Sequence, residues 1–185
     1  MMSHKNRTFV RRIGQKALTF RIPIIVAGEV SYIHPDTFLG RWVVLSFVAA
    51  LEHFEVQLWN RQGEELAQHE TALLLAPIKA AVLGWSKPLI QEQAHYTVVC
   101  DPLYRLQRLY GGQTAETAGH GRTFVIDPAG SLRFHLTHSL TEQGMAILTK
   151  VLLVHQEIAA HGLETISRKR RDLNSSDCPR VSLAI

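Results

Sequence analysis

Cysteine is scarce in this sequence, because the 185 residues contain only Cys100 and Cys178. Two cysteines in a chain of this size do not make a disulfide scaffold, and such sparse use is typical of a reducing compartment. Long hydrophobic runs are also missing, since charge, His, Gly or Pro interrupts every apolar stretch before the roughly 20 residues that span a bilayer. The basic stretch 1–16 lacks the apolar segment of a secretory signal. We therefore expect a soluble, cytoplasmic protein with no membrane partner.

Several sequence motifs that are typical of particular enzyme classes are absent. The sequence has no Gly-rich phosphate loop, no Cys-x-x-Cys pair, no Gly-x-Ser-x-Gly and no His-Glu-x-x-His. These absences remove the common signatures of nucleotide binding, serine hydrolysis and zinc hydrolysis. We expect no cofactor and no bound metal.

Histidine, a common metal ligand, occurs ten times. His135 and His138 are three residues apart on a predicted strand, which sends them to opposite faces of a sheet. His53 lies between Glu52 and Glu55, and an imidazole with carboxylates can bind a divalent metal or transfer protons. Three such residues in a row are more often a solvated loop, so a ligand or metal sensor is only a third hypothesis for function.

The net charge of +4 is mild and sits near the ends of the chain, in 1–16 and in the basic run 168–171. The run 168–171 has no interleaved aromatic side chains of the kind that single-stranded nucleic acid stacks on. We interpret both as solvated tails and do not expect nucleic acid as a partner.

The length and a hydrophobic fraction of 46% allow one sizeable core. We expect a domain at 18–163, preceded by a basic N-terminal tail at 1–17 and followed by a polar, flexible C-terminal tail at 164–185.

Apolar runs predict strands, and the longest is 42–48, whose almost continuous apolar sequence is typical of a central strand covered on both faces. Alternation predicts a strand at 18–22, and Pro23 suggests that this strand lies at an edge. A short strand is allowed within 26–40. Further strands are predicted at 79–85 and 96–100, with a hairpin of 123–127 and 132–138 around the turn Asp127-Pro128-Ala129-Gly130.

Three helices are predicted from apolar spacing and end signals. The first runs from Leu51 through Leu73 and Leu74 and is allowed a break near Gly63. The second covers 102–110 with Asp101 as its N-cap. The third begins at the capping-box pattern Ser139-x-x-Glu142, continues with an apolar stripe and covers the sheet. Strands alternating with helices predict an α/β sandwich with helices on both faces of a central mixed sheet.

Four segments together resemble the peroxiredoxin family (alkyl hydroperoxide reductase and thiol-specific antioxidant proteins, AhpC/TSA). They are Gly40-Arg-Trp-Val-Val-Leu-Ser-Phe, Val82-Leu-Gly-Trp-Ser86, the Asp101-Pro102 helix start with Tyr110-Gly111, and Thr123-Phe-Val-Ile-Asp-Pro-Ala-Gly130 followed by Leu132-Arg133. The resemblance covers about residues 18–156. It implies a thioredoxin-like, peroxiredoxin-type three-layer sandwich and a homodimer.

The resemblance also implies an active site whose residues this sequence does not carry. Peroxiredoxins place a peroxidatic cysteine in a Pro-x-x-x-Thr-x-x-Cys loop after the central strand. An ungapped count from Val43 puts Ala49, His53 and Val56 at these positions, in a loop that is longer here than is usual in the family. The family arginine that holds the peroxide falls on Gly121. Arg122 is one residue away, and that slip turns its side chain to the other face of a strand, although it could still serve as an anion or pocket residue.

Cys100 is the remaining redox candidate, because it ends a predicted strand just before a helix start, where a thiol pKa can fall. The commoner role of such a cysteine is a small buried hydrophobic residue. Cys178-Pro179 is similar to the resolving Cys-Pro of two-cysteine peroxiredoxins, but it also fits an incidental thiol in a tail.

The sequence therefore favours a peroxiredoxin-like protein without the peroxidatic cysteine, acting as a binding, assembly or redox-regulatory module with a protein partner. The alternative is a thiol-dependent oxidoreductase or peroxidase that uses Cys100, with Cys178 as the resolving thiol.

Overall fold

The computed structural model of the protein describes residues 11–26, 29–48, 53–77, 94–101, 103, 105–110 and 120–175, without the side chains of 53–55, 120 and 163–175. The predicted strand 79–85 lies outside these ranges, as do Ala49, Pro102 and Cys178.

The described strands and helices follow one another in an α/β order. The strands are β1 (Ile22–Val26), β2 (Glu29–Ile33), β3 (Trp42–Val48), β4 (Thr71–Pro77), β5 (Thr97–Val99), β6 (His120–Ile126) and β7 (Leu132–Ser139). The α-helices are α1 (His53–Gln68), α2 (Arg105–Leu109) and α3 (Glu142–Ser175), and a 3-10 helix covers Pro35–Phe38.

Within the described residues, seven strands form one mixed sheet in the order β2-β1-β5-β4-β3-β6-β7. The three neighbouring strands β3, β4 and β5 are parallel. The other neighbouring pairs are antiparallel. The mixed sheet that the sequence predicts is confirmed, and β2 and β7 are its edges.

Strand β3 is confirmed at its predicted residues, 42–48, and all seven of its side chains are buried. It lies between β4 and β6, so its backbone is paired on both sides. An apolar, β-branched sequence is what such a position requires, because neither face nor edge meets water.

The two faces of the sheet carry different helices. One face holds Phe47 of β3 and Phe124 of β6, whose rings contact Tyr110 just after α2, with centroids 5.8 Å and 4.5 Å away. The opposite face holds His138 of β7, whose ring contacts Trp59 of α1. Helices therefore cover both faces, as predicted.

The first helix ends earlier than predicted. It stops at Gln68, and Leu73 and Leu74 lie in β4 rather than on the helix. Gly63 lies inside the helix and does not break it. A Cβ at this position would run into the carbonyl oxygen of His95. The glycine instead lets the 95–96 segment approach α1 closely.

The first strand is also displaced and is not an edge. Residues 18–21 precede it, and β1 pairs with β2 on one side and β5 on the other. Pro23 lacks an N–H, but its carbonyl oxygen accepts a hydrogen bond from the N–H of Cys100 at 2.8 Å. A proline whose carbonyl pairs in this way can occupy an internal strand.

Polar side chains cap the two later helices, as predicted, although the helix start or the capping residue differs from the prediction. The carboxylate of Asp101 accepts hydrogen bonds from the N–H groups of Arg105 at 2.7 Å and Gln107 at 3.1 Å, although α2 begins at Arg105. At α3 the side chain that caps is Thr141, since its hydroxyl accepts from the N–H of Gly144 at 3.2 Å. Ser139, the predicted cap, is the last residue of β7.

The hairpin of β6 and β7 is confirmed. The N–H of Gly130 donates to the carbonyl of Asp127 at 2.8 Å, and Gly130 takes the positive φ of 77° that a glycine tolerates. Residues 11–17, assigned above to a tail, hydrogen-bond to this hairpin: the N–H of Ala17 donates to Gly130 at 2.9 Å, and the N–H of Gly14 donates to Leu132 at 2.7 Å.

The chain divides into two compact units, Met1–Ala146 and Ile147–Ile185, with the boundary inside α3. Met145, Leu148 and Leu152 of the predicted apolar stripe are buried, whereas Ile158 is exposed. Helix α3 continues to Ser175, past the predicted domain end at residue 163.

Candidate functional site

The C-terminal edge of the three parallel strands is the region where α/β sheets usually place a site. Val48 ends β3 and pairs with Pro77, the last residue of β4. Leu75 pairs with Val98, so Cys100 lies level with Pro77 at the same edge. The sheet thus brings Cys100 to the edge where β3 ends, two strands away from Val48.

The positions expected to correspond to the peroxiredoxin site are filled by apolar and small residues. Val56 lies in the first turns of α1 and is buried, with 4% of its surface exposed. Gly121 lies in β6 and is buried. His53 begins α1, and its side chain lies outside the described part of the protein.

The imidazole of His138 packs beside Gly121, its partner across β6 and β7. A Cβ at Gly121 would lie 3.2 Å from Cε1 of His138 and 3.2 Å from Cδ2 of Leu140. These distances are tighter than ordinary van der Waals contact. The space that a side chain at Gly121 would need is therefore already taken.

A buried chain of hydrogen bonds runs from His138 into the sheet. Nε2 of His138 lies 2.8 Å from Oγ1 of Thr123, and this oxygen lies 2.8 Å from Oγ of Ser46. Both hydroxyl-bearing residues have no exposed surface, and His138 is 6% exposed.

The carbonyl of Ser139 fixes the direction of this chain for a neutral imidazole. A carbonyl can only accept, so Nδ1 of His138, 3.2 Å away, carries the proton and donates to it. Nε2 then accepts from the hydroxyl of Thr123, which in turn accepts from Ser46. The sequence shows this cluster only as one polar residue in each of three separate strands, and sequence reasoning missed it.

Cys100 lies in a setting that does not activate a thiol. Burial raises its pKa, and the negative charge of Asp101 raises it further. Val99 belongs to the core cluster on the Phe47 face, so the alternation of the strand turns Cys100 to the opposite face. The neutral thiol is therefore the favoured form at neutral pH.

Arg122 lies on the other side of the sheet from Gly121, as predicted. It pairs across β3 and β6 with Phe47, on the face of the aromatic cluster. Its guanidinium carbon stands 5.2 Å from the ring centroid of Phe124. Alternation thus separates Arg122 from Cys100, and the structure does not bring the two together.

Three comparisons were made with known proteins. The sequence matches no model of a known protein family and no curated protein. The structure is similar to AhpC of Enterococcus faecalis, with a TM-score of 0.65 and 17% identity over 83% of this chain and 97% of that one. It is also similar to the mitochondrial 2-Cys peroxiredoxin of Plasmodium falciparum, with a TM-score of 0.59 and 16% identity over 91% of this chain and 100% of that one. AhpC of Mycobacterium tuberculosis is similar over 69% of this chain and 82% of that one, with a TM-score of 0.53 and 16% identity.

The chain has a peroxiredoxin-like thioredoxin fold. At these identities the likeness shows the fold alone, and the chemistry has to be argued from the residues.

The peroxiredoxin-like fold here also has a cavity of about 130 Å³ at the opposite end of β3, beside the hairpin turn. Its lining includes Lys16, Phe38, Val43 and Asp127. Lys16 already donates to the carbonyl of Ala129 at 2.6 Å, and Asp127 pairs with Arg133 at 2.7 Å. The lining contains none of the predicted site residues, so the cavity is separate from them.

In the part of the chain that the structure describes, no three His, Cys, Asp or Glu residues are grouped closely enough to hold a metal ion. His135 and His138 lie on opposite faces, as the sequence predicts, with His135 stacked on Phe124 and His138 against Trp59. Across the described ranges no helix combines the length and apolar character needed to cross a bilayer.

Proposed function

We propose that this peroxiredoxin-like protein does not reduce peroxides through a peroxidatic thiol and instead acts as a binding, assembly or redox-regulatory module. The observation that carries the proposal is the packing at Gly121, the position at which the resemblance predicts an arginine, because His138 and Leu140 lie close to where a side chain there would begin. At the ungapped position of the peroxidatic cysteine stands Val56, a buried apolar residue.

The chemistry of peroxide reduction explains why these replacements matter. A thiolate must attack the O–O bond, taking one oxygen as a sulfenic acid and releasing water or an alcohol. Valine offers no nucleophile, and glycine offers no charge to hold the peroxide or lower a thiol pKa. The only cysteines of the chain are Cys100 and Cys178.

The alternative function is a thiol oxidoreductase in which Cys100 forms the sulfenic acid and Cys178 condenses with it to a disulfide, releasing water. The position of Cys100 at the C-terminal edge of the sheet favours this function. Its burial and its raised pKa count against it. We therefore rank it second.

Hydrogen peroxide consumption by the reduced protein in the presence of dithiothreitol tests both functions. The wild type is measured beside Cys100→Ser and Cys178→Ser. We expect all three to match the dithiothreitol blank. Consumption above the blank by the wild type and not by Cys100→Ser would make Cys100 the nucleophile and refute the proposal.

A homodimer in the cytoplasm is part of the proposal. Peroxiredoxin-type proteins commonly dimerise through sheet edges or through contacts around the active-site loop. Here β2 and β7 are the edges of the sheet formed by the described strands. The mass of the purified protein by sedimentation at several concentrations tests this point, and a monomer at all of them would contradict it.

A further inference from the structure

Four side chains form a compact group on the Phe47 face of β6 and β7. Arg122 is paired across the strands with Thr137, and Phe124 with His135. Partners in such pairs have Cβ atoms about 5 Å apart, so the four residues occupy the corners of one small patch. His135 and Thr137 are exposed, and Arg122 is half-buried.

The aromatic ring of Phe124 holds the two cationic or ionisable groups in place. The ring is 3% exposed, with the guanidinium carbon of Arg122 5.2 Å from its centroid. The imidazole of His135 stacks on it with centroids 5.6 Å apart and planes inclined by 22°. Stacking restrains a guanidinium but leaves the N–H donors along its edge available.

The charge of Arg122 is not used for an ion pair within the described residues. The salt bridges there join Arg61 with Glu142, Arg133 with Asp127 and His34 with Asp36. A half-buried guanidinium that lies against a ring, and that no carboxylate of the described residues pairs with, is suited to bind an anion from outside.

We propose that Arg122, Thr137 and His135 form a binding site for the phosphoryl group of a small molecule. Arg122 offers a fork of N–H donors, Thr137 a hydroxyl and His135 a ring N–H. Three donor groups on neighbouring positions of one patch suit the several oxygens of a phosphate better than the two of a carboxylate. The site is independent of the proposed function, because it lies on the face opposite Gly121 and His138.

Titration with inorganic phosphate, followed by the NMR signals of the His135 ring, tests the proposal. We expect saturable shifts of the His135 ring protons in the wild type. Arg122→Gln is expected to weaken binding at least tenfold, and Thr137→Val to weaken it to a smaller extent. The matched control is Arg41→Gln, because Arg41 is an exposed arginine just before the opposite end of β3 and its loss changes the net charge equally.

Two results would overturn the site. One is the absence of any saturable shift in the wild type at millimolar phosphate. The other is equal weakening by Arg41→Gln and Arg122→Gln, which would mean general attraction to a basic protein. Because Thr137→Val changes an exposed residue, it tests the site even if Arg122→Gln fails to fold.

Discussion

The backbone of Gly121 lies so close to His138 that a Cβ on the glycine would stand 3.2 Å from the imidazole Cε1. Nε2 of this imidazole hydrogen-bonds to the hydroxyl group of Thr123. The absence of a side chain at Gly121 therefore leaves space for the buried imidazole of His138, which hydrogen-bonds to Thr123. Gly121 thus has a structural role of its own.

Substitution of Gly121 should destabilise the protein in proportion to size. We expect Gly121→Ala to cost about 1 to 3 kcal/mol, as overpacking of a well-filled core does. Gly121→Arg should cost roughly 3 kcal/mol or more, because it also buries an unpaired charge. Urea unfolding measures both. The double variant Gly121→Ala/His138→Ala should lose less stability than the sum of the two single losses, since the contact with His138 is removed. Additive costs would show that His138 does not occupy the space.

The hydroxyl of Thr123 should matter more than its methyl group. Thr123→Val keeps the shape but removes the hydroxyl that connects Ser46 with His138, so we expect a loss of about 1 to 3 kcal/mol in unfolding free energy. Thr137→Val is the matched control, because Thr137 is exposed and its replacement should change stability by less than about 0.5 kcal/mol. Equal effects of the two variants would contradict the hydrogen-bond chain.

Two glycines in helices should respond in opposite directions to alanine. Gly63→Ala should destabilise the protein, because its Cβ collides with the His95 carbonyl and the clash outweighs the helix gain of about 1 kcal/mol. Gly162→Ala should stabilise by up to about 1 kcal/mol, because nothing lies within 4 Å of its Cβ position. Thermal unfolding of both variants decides the point, and a stabilised Gly63→Ala protein would refute the close approach.

The Cys100 thiol should react slowly while the protein is folded. In the Cys178→Ser background Cys100 is the sole cysteine. Burial and a raised pKa both lower the fraction of accessible thiolate. We expect labelling by a disulfide reagent at pH 7.5 to be at least tenfold slower in buffer than in denaturing urea. Equal rates would show an exposed, reactive thiol and would favour the oxidoreductase.

Stability should fall at alkaline pH. Burial raises the pKa of Tyr110 well above the usual tyrosine value of about 10, and the charge of Arg11 offsets this only in part. Below pH 10 both the folded and unfolded states keep this phenol neutral. Above it the unfolded state ionises first, and stability declines by up to about 1.4 kcal/mol per pH unit for one group.

Tyr110→Phe is the control for the alkaline decline. It should lose stability at pH 7, because the phenol donates to the carbonyl of Ala17 at 2.9 Å, but should show a weaker decline above pH 10. Urea unfolding between pH 7 and 11 measures both effects. A decline as steep as that of the wild type would rule out Tyr110 as its source.

The sequence was informative wherever one local signal dominated. The apolar run of β3 and the Asp127–Gly130 turn with its hairpin were predicted at their observed places. The placement of Leu73 and Leu74 in a strand was not predicted, because leucines spaced three and four apart fit both the end of a helix and a short buried strand. Glu70, with a positive φ of 52°, marks the turn between the two elements.

The candidate site was harder to predict because it depends on pairs that are distant in sequence. Ser46 and Thr123 are 77 positions apart, and only the pairing of β3 with β6 brings them together. Gly121 stands where the resemblance predicts an arginine, and its close contact with His138 depends on the pairing of β6 with β7. The alternation of side chains along a strand did predict that His135 and His138 lie on opposite faces of the sheet.

The order of strands has a consequence for the growing chain on the ribosome. Ile24 of β1 pairs with Val99, and Ala17 hydrogen-bonds to Gly130. Strand β1 must therefore wait until residue 99 has been synthesised before its second partner strand exists, and Ala17 must wait until residue 130. Until then Val30 and Tyr32 of β2, which stay exposed even in the finished fold, belong to a two-stranded hairpin with no core behind it. Such a hairpin is marginal in water, so the nascent protein exposes these apolar strand residues to its surroundings until β5 has been made.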